Sequence, residues 1–560
     1  MNLHANNGGS TPLGQVFTPP AVADLVLALA LEGLPSTATV LDPACGDGVF
    51  LKRARVTGIS ADRLHGIELC PAAAAKAVGR VPGAHITCGD FFEEPPRQFD
   101  AVVGNPPYVR QEFLDAMRKR AIARQLREDW PEPSPAPGEL FQGRADLAMA
   151  FVARALRFAR PGGRVAFVLS QAVLDADYGR DLERFLVGRG RLVAVIASIE
   201  ERWFLDAAIH AAVVVLERTN QGQGEPPLVA RLRVPVAEAA RVVRGVGDLA
   251  RVADLRPVGK RGAGVGSLRG QLRAPGAWLD FAAAAGELLV PLSDLADVRR
   301  GVTSGQNSFF YLSRVEAARK GIEPRFLVPL LRSPKQAIQV LVDPATLPTV
   351  AFQCDVPEEE LAMFPGASAH VASGTKLAAS PSLSSRARWW SLPARPARLF
   401  LTKAYDERFV QVLATAPVIA DQRMYAVDPR GVDLELLAAV LNSTCTALAL
   451  EALGRASMGD GALEWSVGDA RNLPVLDVRR LELDLDAAGV ARDAFRRLST
   501  RAVGRISVDV HSPERQALDG ALLSGMPHLR ALLAGARDAL VGAVATRLAK
   551  ALSPRSPHGP

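Results

Sequence analysis

The chain has little cysteine, few aromatic residues and no long apolar run. Its five cysteines, Cys45, Cys70, Cys88, Cys354 and Cys445, are scattered over 560 residues and none forms a CxxC pair. That spacing argues against a structural zinc site or a redox dithiol, and an odd, dispersed set suits small reduced thiols buried in a cytosolic protein. No metal is expected. No stretch reaches the roughly 18 apolar residues that cross a bilayer, so no membrane partner is expected. The opening MNLHANNGGSTPLG has no basic segment followed by an apolar core, so the expectation is no secretory signal and a cytoplasmic location.

What is present is ample apolar material: 48% of the residues are hydrophobic, enough for buried cores. Length alone suggests three or four domains. The net charge of +7 is unevenly placed, with residues 1–220 close to neutral and the excess of Lys and Arg beyond them. A basic second part suits a polyanionic partner.

Residues 1–220 alternate short apolar runs with helix-like stretches. ATVLDPA (38–44), LHGIEL (64–69), AHITCGD (84–90), FDAVVGN (99–105), GRVAFVLS (163–170), LVAVIAS (192–198) and AAVVVLE (211–217) read as strands. ADLAMAFVARALRFA (145–159) and YGRDLERFLVGRG (178–190) read as helices between them. The alternation predicts an α/β domain with a seven-stranded, mostly parallel sheet covered on both faces. DWPEPSPAPGE (129–139) is expected to be a mobile surface loop beside the active site. TNQGQGEPP near residue 220 reads as a linker, giving a connecting region over 221–287 with a basic loop at 258–276. A separate unit is expected over 288–476, and a helical C-terminal region over 477–560 ending in a frayed tail.

Three features stand at successive strand ends. VLDPACGDGVFL (40–51) is a glycine-rich turn between a strand and a helix, where doubly wound sheets bind cofactors. It is neither GxGxxG nor a phosphate-cradling loop. The carboxylate of Asp42 at its start would repel a pyrophosphate and suits a cationic or hydroxyl-rich ligand. Glu68 ends the second strand, a usual place for an acceptor of ribose hydroxyls. Asp90 and Phe91 follow the third, where a carboxylate and a ring could receive an adenine. A single acidic strand end is more often a solvated helix cap; three at one sheet edge are a stronger signal.

DPACGDG, GIEL, GDFF and NPPY, in that order, resemble the class I S-adenosylmethionine-dependent methyltransferases. More narrowly, they are similar to the gamma-type, TaqI-like DNA adenine-N6 methyltransferases of restriction–modification systems. GQVFTPPAVADLVLALA (14–30) matches a further motif that precedes the glycine loop in that family. The resemblance implies a Rossmann-like catalytic domain using S-adenosyl-L-methionine, with Thr18, Asp42, Ala44, Gly46, Glu68, Asp90 and Phe91 lining the methyl-donor pocket. Glu68 would take the ribose hydroxyls, Asp90 and Phe91 the adenine, and Asp42 would lie near the methionine end.

The corner Asn105-Pro106-Pro107-Tyr108 carries the chemistry. An aromatic amine is a poor nucleophile because its lone pair is delocalised into the ring. Two fixed acceptors on its N–H bonds favour a tetrahedral nitrogen and stabilise growing positive charge. The Asn105 side-chain oxygen and the Pro106 carbonyl supply them, and the two prolines fix φ so that both hold still. Tyr108 offers a face to a flipped base. The family places a second stacking ring in a later loop; Phe204 is the best match, with Trp203 its rival, and either could be core.

The same corner suits amide nitrogens, so RNA adenine and protein-glutamine methyltransferases remain the alternative. Three stretches of the second half resemble the target-recognition domain of TaqI-like enzymes: VRRGVTSGQNSFFYL (298–312), EPRFLVPLLRSPKQ (323–336) and residues 436–475. That favours double-stranded DNA as substrate. Thr303, Ser304, Gln306 and Asn307 form a polar loop able to meet phosphates or base edges, and Arg299, Arg300, Arg332 and Lys335 are candidate phosphate contacts. No segment is left over for a PD-(D/E)xK nuclease. The expectation is a modification enzyme with, at most, a separate cognate restriction endonuclease as partner.

Overall fold

The computed structural model describes residues 17–109, 114–131, 147–174, 182, 184–198, 201–204, 210–221, 224–257, 268–456, 461–481 and 485–552. The chain forms two compact units, residues 1–273 apart from a few linker positions, and residues 274–551.

The first unit is built on one sheet. Its strands are β1 (Val40–Asp42), β2 (Leu64–Glu68), β3 (His85–Cys88), β4 (Phe99–Gly104), β5 (Ala159–Ser170), β6 (Gly190–Ser198), β7 (Ala211–Arg218), β8 (Leu228–Leu232) and β9 (Ala253–Pro257). They lie in the order β3-β2-β1-β4-β5-β7-β6-β8-β9. β3 through β5 run parallel, and β7 is antiparallel to both β5 and β6. This is the class I S-adenosylmethionine-dependent methyltransferase fold.

Side chains alternate between the two faces of each strand. Ala101 and Val103 point into one core with α1 (Pro20–Ala30) and α2 (Val49–Val56). Val102 points into the other, with α4 (Ala116–Asp129) and α5 (Leu147–Phe158), α3 (Pro71–Arg80) lying between in the chain. In β5, Val165, Phe167 and Leu169 face one core while Ala166 and Val168 face the other. Burial on both faces explains why the central strands read as unbroken apolar runs.

All seven expected strands are present, but the sheet has nine. Residues 221–287, expected as a connection, supply β8 parallel to β6 and β9 antiparallel to β8. Both lie beyond the central strands and carry charge (Arg231, Asp254, Arg256), which is how outer strands discourage further pairing and why they lack the apolar signature. The proline-rich loop falls largely in 132–146, part of the expected helix over 178–190 in 178–181 and 183, and the first part of the expected basic loop over 258–276 in 258–267; these lie outside the described residues, as does the 553–560 tail, while Leu268–Arg273 of that expected loop is helical.

The second unit holds an eight-stranded mixed sheet and a large helical core. The region over 477–560 does not stand apart. Its helices Leu485–Ser499, Pro513–Leu522 and Pro527–Leu552 bury Phe495, Leu518 and Leu540 in the same core as Leu437 and Leu448. The apolar helices Leu434–Leu441 and Thr444–Leu453 are therefore core helices of this unit. Among the described residues no single helix is long and apolar enough to cross a membrane.

Candidate active site

The carboxyl ends of β1, β2 and β4 converge. After β1 the chain turns through Gly46 (φ 55°) and Gly48 (φ 84°), left-handed conformations open to glycine, into α2. The turn is tied to β2: Cys45 N–H donates to Ile67 O at 2.9 Å and Gly46 N–H to Glu68 Oε2 at 2.8 Å. Glu68 Oε1 accepts from Cys70 N–H at 2.8 Å, so this one carboxylate braces two loops. Asp47 within the turn pairs with Arg80 at 2.7 Å.

Asp42 is only 1% exposed. Its Oδ1 accepts from Ala44 N–H at 3.2 Å, while Oδ2 is buried and meets no donor among the described residues. Burial, with Glu68 nearby and against the Ala44 bond, pushes its carboxyl up to about 8. Neighbouring Gly104 cannot be replaced cheaply, since a Cβ there would stand 2.7 Å from Asp42 Oδ1. The Cys45 thiol, buried beside these carboxylates, is pushed upward and is no nucleophile.

β4 stops at Gly104 because Pro106 and Pro107 have no N–H to continue the ladder. The Asn105 side chain meets two hydroxyls. Its Nδ2 donates to Thr18 Oγ1 at 3.1 Å, and its Oδ1 accepts from Tyr108 O–H at 2.6 Å. The Tyr108 hydroxyl also lies 3.1 Å from Val168 O. Thr18, remote in sequence and held just ahead of Pro19 and α1, thus stands at the corner itself.

Beyond β3 the picture departs from expectation. Asp90 Oδ1 accepts from Phe92 N–H at 2.9 Å, and Oδ2 forms an ion pair with Arg118 of α4. The Phe91 ring is 2% exposed and packs on Phe92, Phe151 and Phe158, so it is core and offers no open stacking face. Its carbonyl accepts from Arg154 Nε at 2.8 Å, and Arg154 also pairs with Asp129 at 2.5 Å. Phe204 and Trp203 are likewise core, 3% and 6% exposed, among the residues that pack under α1. An apolar ring after a strand is equally at home inside or at a pocket, and here the interior wins.

Two contributors escaped the sequence reading. Arg118 had no spacing to connect it with Asp90. Arg154 did leave a signal: a lone charge inside LAMAFVARALRF must find a partner when that helix is buried.

In the second unit Gly301 lies so close to the Asp421 carbonyl that a Cβ would collide with it. Arg300, exposed, donates to Gln422 Oε1 at 2.7 Å, and Thr303 Oγ1 lies 3.3 Å from the same oxygen. Ser304 bonds Asn307 and also accepts from Gln306 N–H at 3.2 Å, so the loop is folded on itself with Ser304 buried. Arg332 and Lys335 are exposed. Arg299 differs: it donates to Asp428 at 2.9 Å and to Arg395 O at 2.8 Å, which makes it a strut of the sheet and not a free phosphate contact. No group of three or more His, Cys, Asp or Glu that could hold a metal occurs among the described residues.

Comparisons with known proteins find likenesses to both parts of the chain. Residues 1–230 match the N-6 DNA Methylase family, and residues 282–501 match the C-terminal domain of the Type II methyltransferase M.Eco57I. The Type II methyltransferase M.TthHB8I of Thermus thermophilus is 30% identical over 186 residues, 32% of this chain and 40% of the relative. M.XamI of Xanthomonas campestris pv. amaranthicola, another Type II methyltransferase, is 28% identical over 348 residues, 58% of each. The matches thus span about half the length of these relatives. The solved Type IIL restriction-modification enzyme MmeI, in complex with DNA, covers 96% of this chain and 73% of its own with a TM-score of 0.51 at 13% identity, a likeness of fold. Residues 1–230 are thus similar to the N-6 DNA Methylase family, and residues 282–501 to a Type II methyltransferase C-terminal domain.

Proposed function

We propose that this protein methylates the N6 amine of an adenine flipped out of double-stranded DNA, with S-adenosyl-L-methionine as donor, as the modification enzyme of a restriction–modification system. The observation that carries the reading is the Asn105 carboxamide, fixed at the end of β4 beside a glycine turn whose Asp42 keeps one buried oxygen without a donor.

The pocket residues fit the donor. A buried carboxyl oxygen lacking a partner suits an ammonium group, and Glu68 at the end of β2 suits ribose hydroxyls. When bound, the donor supplies an electrophilic methyl group on a sulfonium. The chain's own residues prepare the acceptor. Asn105 Oδ1 and the Pro106 carbonyl take the two N–H bonds of the amine, localise its lone pair and stabilise the positive charge that develops as the N–C bond forms. Tyr108 supplies the stacking surface, and its hydroxyl, which lies on Asn105 Oδ1, gives way to or shares that oxygen with the amine. Asp90 is the adenine acceptor of the donor pocket, with Arg118 as its competitor there.

The test is labelled methyl transfer to double-stranded DNA followed by single-molecule mapping of methylated positions. The expected result is one adenine-containing motif, methylated only when the protein is present. Label appearing in RNA or in a glutamine-containing protein, with none in DNA, would overturn the reading.

A further inference from the structure

A carboxamide is a useful acceptor only in one of its two orientations. Flipped by half a turn, Asn105 would aim its own N–H bonds at the target amine, donor against donor. The backbone does not decide between these states, because oxygen and NH2 are nearly equal in shape. Two of its contacts favour the first. The Tyr108 hydroxyl at 2.6 Å is short for an N–H bond and ordinary for O–H to oxygen, so the oxygen belongs on that side. The Thr18 hydroxyl at 3.1 Å suits an N–H donor. Thr18 is buried and sits at the entry to α1, where Pro19 and Pro20 fix the following turn.

We infer that Thr18 is a positioning residue for methyl transfer: its hydroxyl accepts the Asn105 Nδ2–H and so turns Oδ1 toward the target amine. This goes beyond a place in the donor pocket, and it rests on Asn105 being the amine's acceptor. It also links α1 to the reacting corner, since a shift of the helix start would release the amide.

The experiment uses the full chain and compares Thr18→Val, Thr18→Ser and Asn105→Ala in labelled methyl transfer at saturating donor, with donor affinity measured separately by calorimetry. Thr18→Val keeps the shape and removes the acceptor. At saturating donor it is expected to lower kcat about tenfold, the worth of one hydrogen bond, over and above any change in donor Kd, with DNA KM unchanged, and Thr18→Ser is expected to restore most of the rate. A Thr18→Val enzyme with full kcat, or one whose only defect is weaker donor binding, overturns the inference. If circular dichroism shows Thr18→Val unfolded, Thr18→Ala serves in its place with the same expectations. Turnover by Asn105→Ala would sink the acceptor reading instead; an inactive Asn105→Ala beside a fully active Thr18→Val sinks only the role of Thr18.

Discussion

The first unit leaves the buried Asp42 carboxyl with one oxygen facing no donor, whereas the second pairs its buried carboxylates almost completely. Asp509 is gripped by Arg501 and Arg515, and Glu451 receives Arg547 at 3.0 Å. Asp519 accepts from Thr444 N–H at 2.9 Å and pairs with Arg537 at 3.2 Å. The difference separates two uses of burial. The paired charges fasten the C-terminal helices to Thr444–Leu453 and close on themselves. The unpaired oxygen is a cost to the empty fold, and such a cost persists where a ligand removes it.

The largest expected effect falls on the reacting corner. Asn105→Ala should cut turnover by about 10²–10³-fold or more, the scale of a lost preorganised polar group, while calorimetry shows donor binding intact. Activity near that of the natural chain would remove the chemical distinction between the units.

Next comes a break in the paired set. Arg547→Ala removes a buried cation from Glu451 together with its bonds to the Gly461 and Asp406 carbonyls, and should destabilise its surroundings by about 3–5 kcal/mol. Hydrogen exchange across Thr444–Leu453 would rise sharply; unchanged protection there would show that the pair is not a fastening.

Asp42→Asn should do the reverse and stabilise the empty protein. The folded carboxyl is pushed up to about 8, whereas an unfolded one ionises near 4. Between those values the unfolded chain has released its proton and the folded chain still holds it. Stability of the natural protein therefore falls as pH rises from about 4 to about 8, then levels off. The variant lacks that slope, so its advantage in protection of Val40–Asp42 should widen with pH up to about 8. A gap that narrows as pH rises would mean that Asp42 already has a partner. The same substitution should weaken donor binding.

How much of this was legible in the sequence follows from what each signal measures. The central strands were legible because burial on both faces demands unbroken apolar runs, and the strand-end motifs because close backbone approach demands Gly46 and Gly48. β8 and β9 were not, since strands toward a sheet edge carry Arg231 and Asp254 and resemble loop. The burial of Phe91 and Phe204 was not legible either, since residue type does not say which side of a wall a ring occupies. The Thr18–Asn105 contact spans 87 positions, and only the fold brings it together.

The smallest expected effect separates two adjacent arginines. Arg299 is spent on Asp428 and a carbonyl, whereas exposed Arg300 donates, among the described residues, to a glutamine oxygen. A neutral bond to Gln422 is readily exchanged for a phosphate, while breaking the charged pair of Arg299 would strand Asp428. Arg300→Ala should therefore weaken DNA binding a few-fold and reduce the slope of log affinity against log salt by about one. Arg299→Ala should leave that slope unchanged and instead loosen the pairing of Ala296–Arg300 with Met424–Pro429. Titrations at several salt concentrations read the first, and hydrogen exchange the second. Equal slopes for both variants would mean that the paired arginine reaches DNA as well, so that pairing inside the second unit does not withdraw a charge from its surface role.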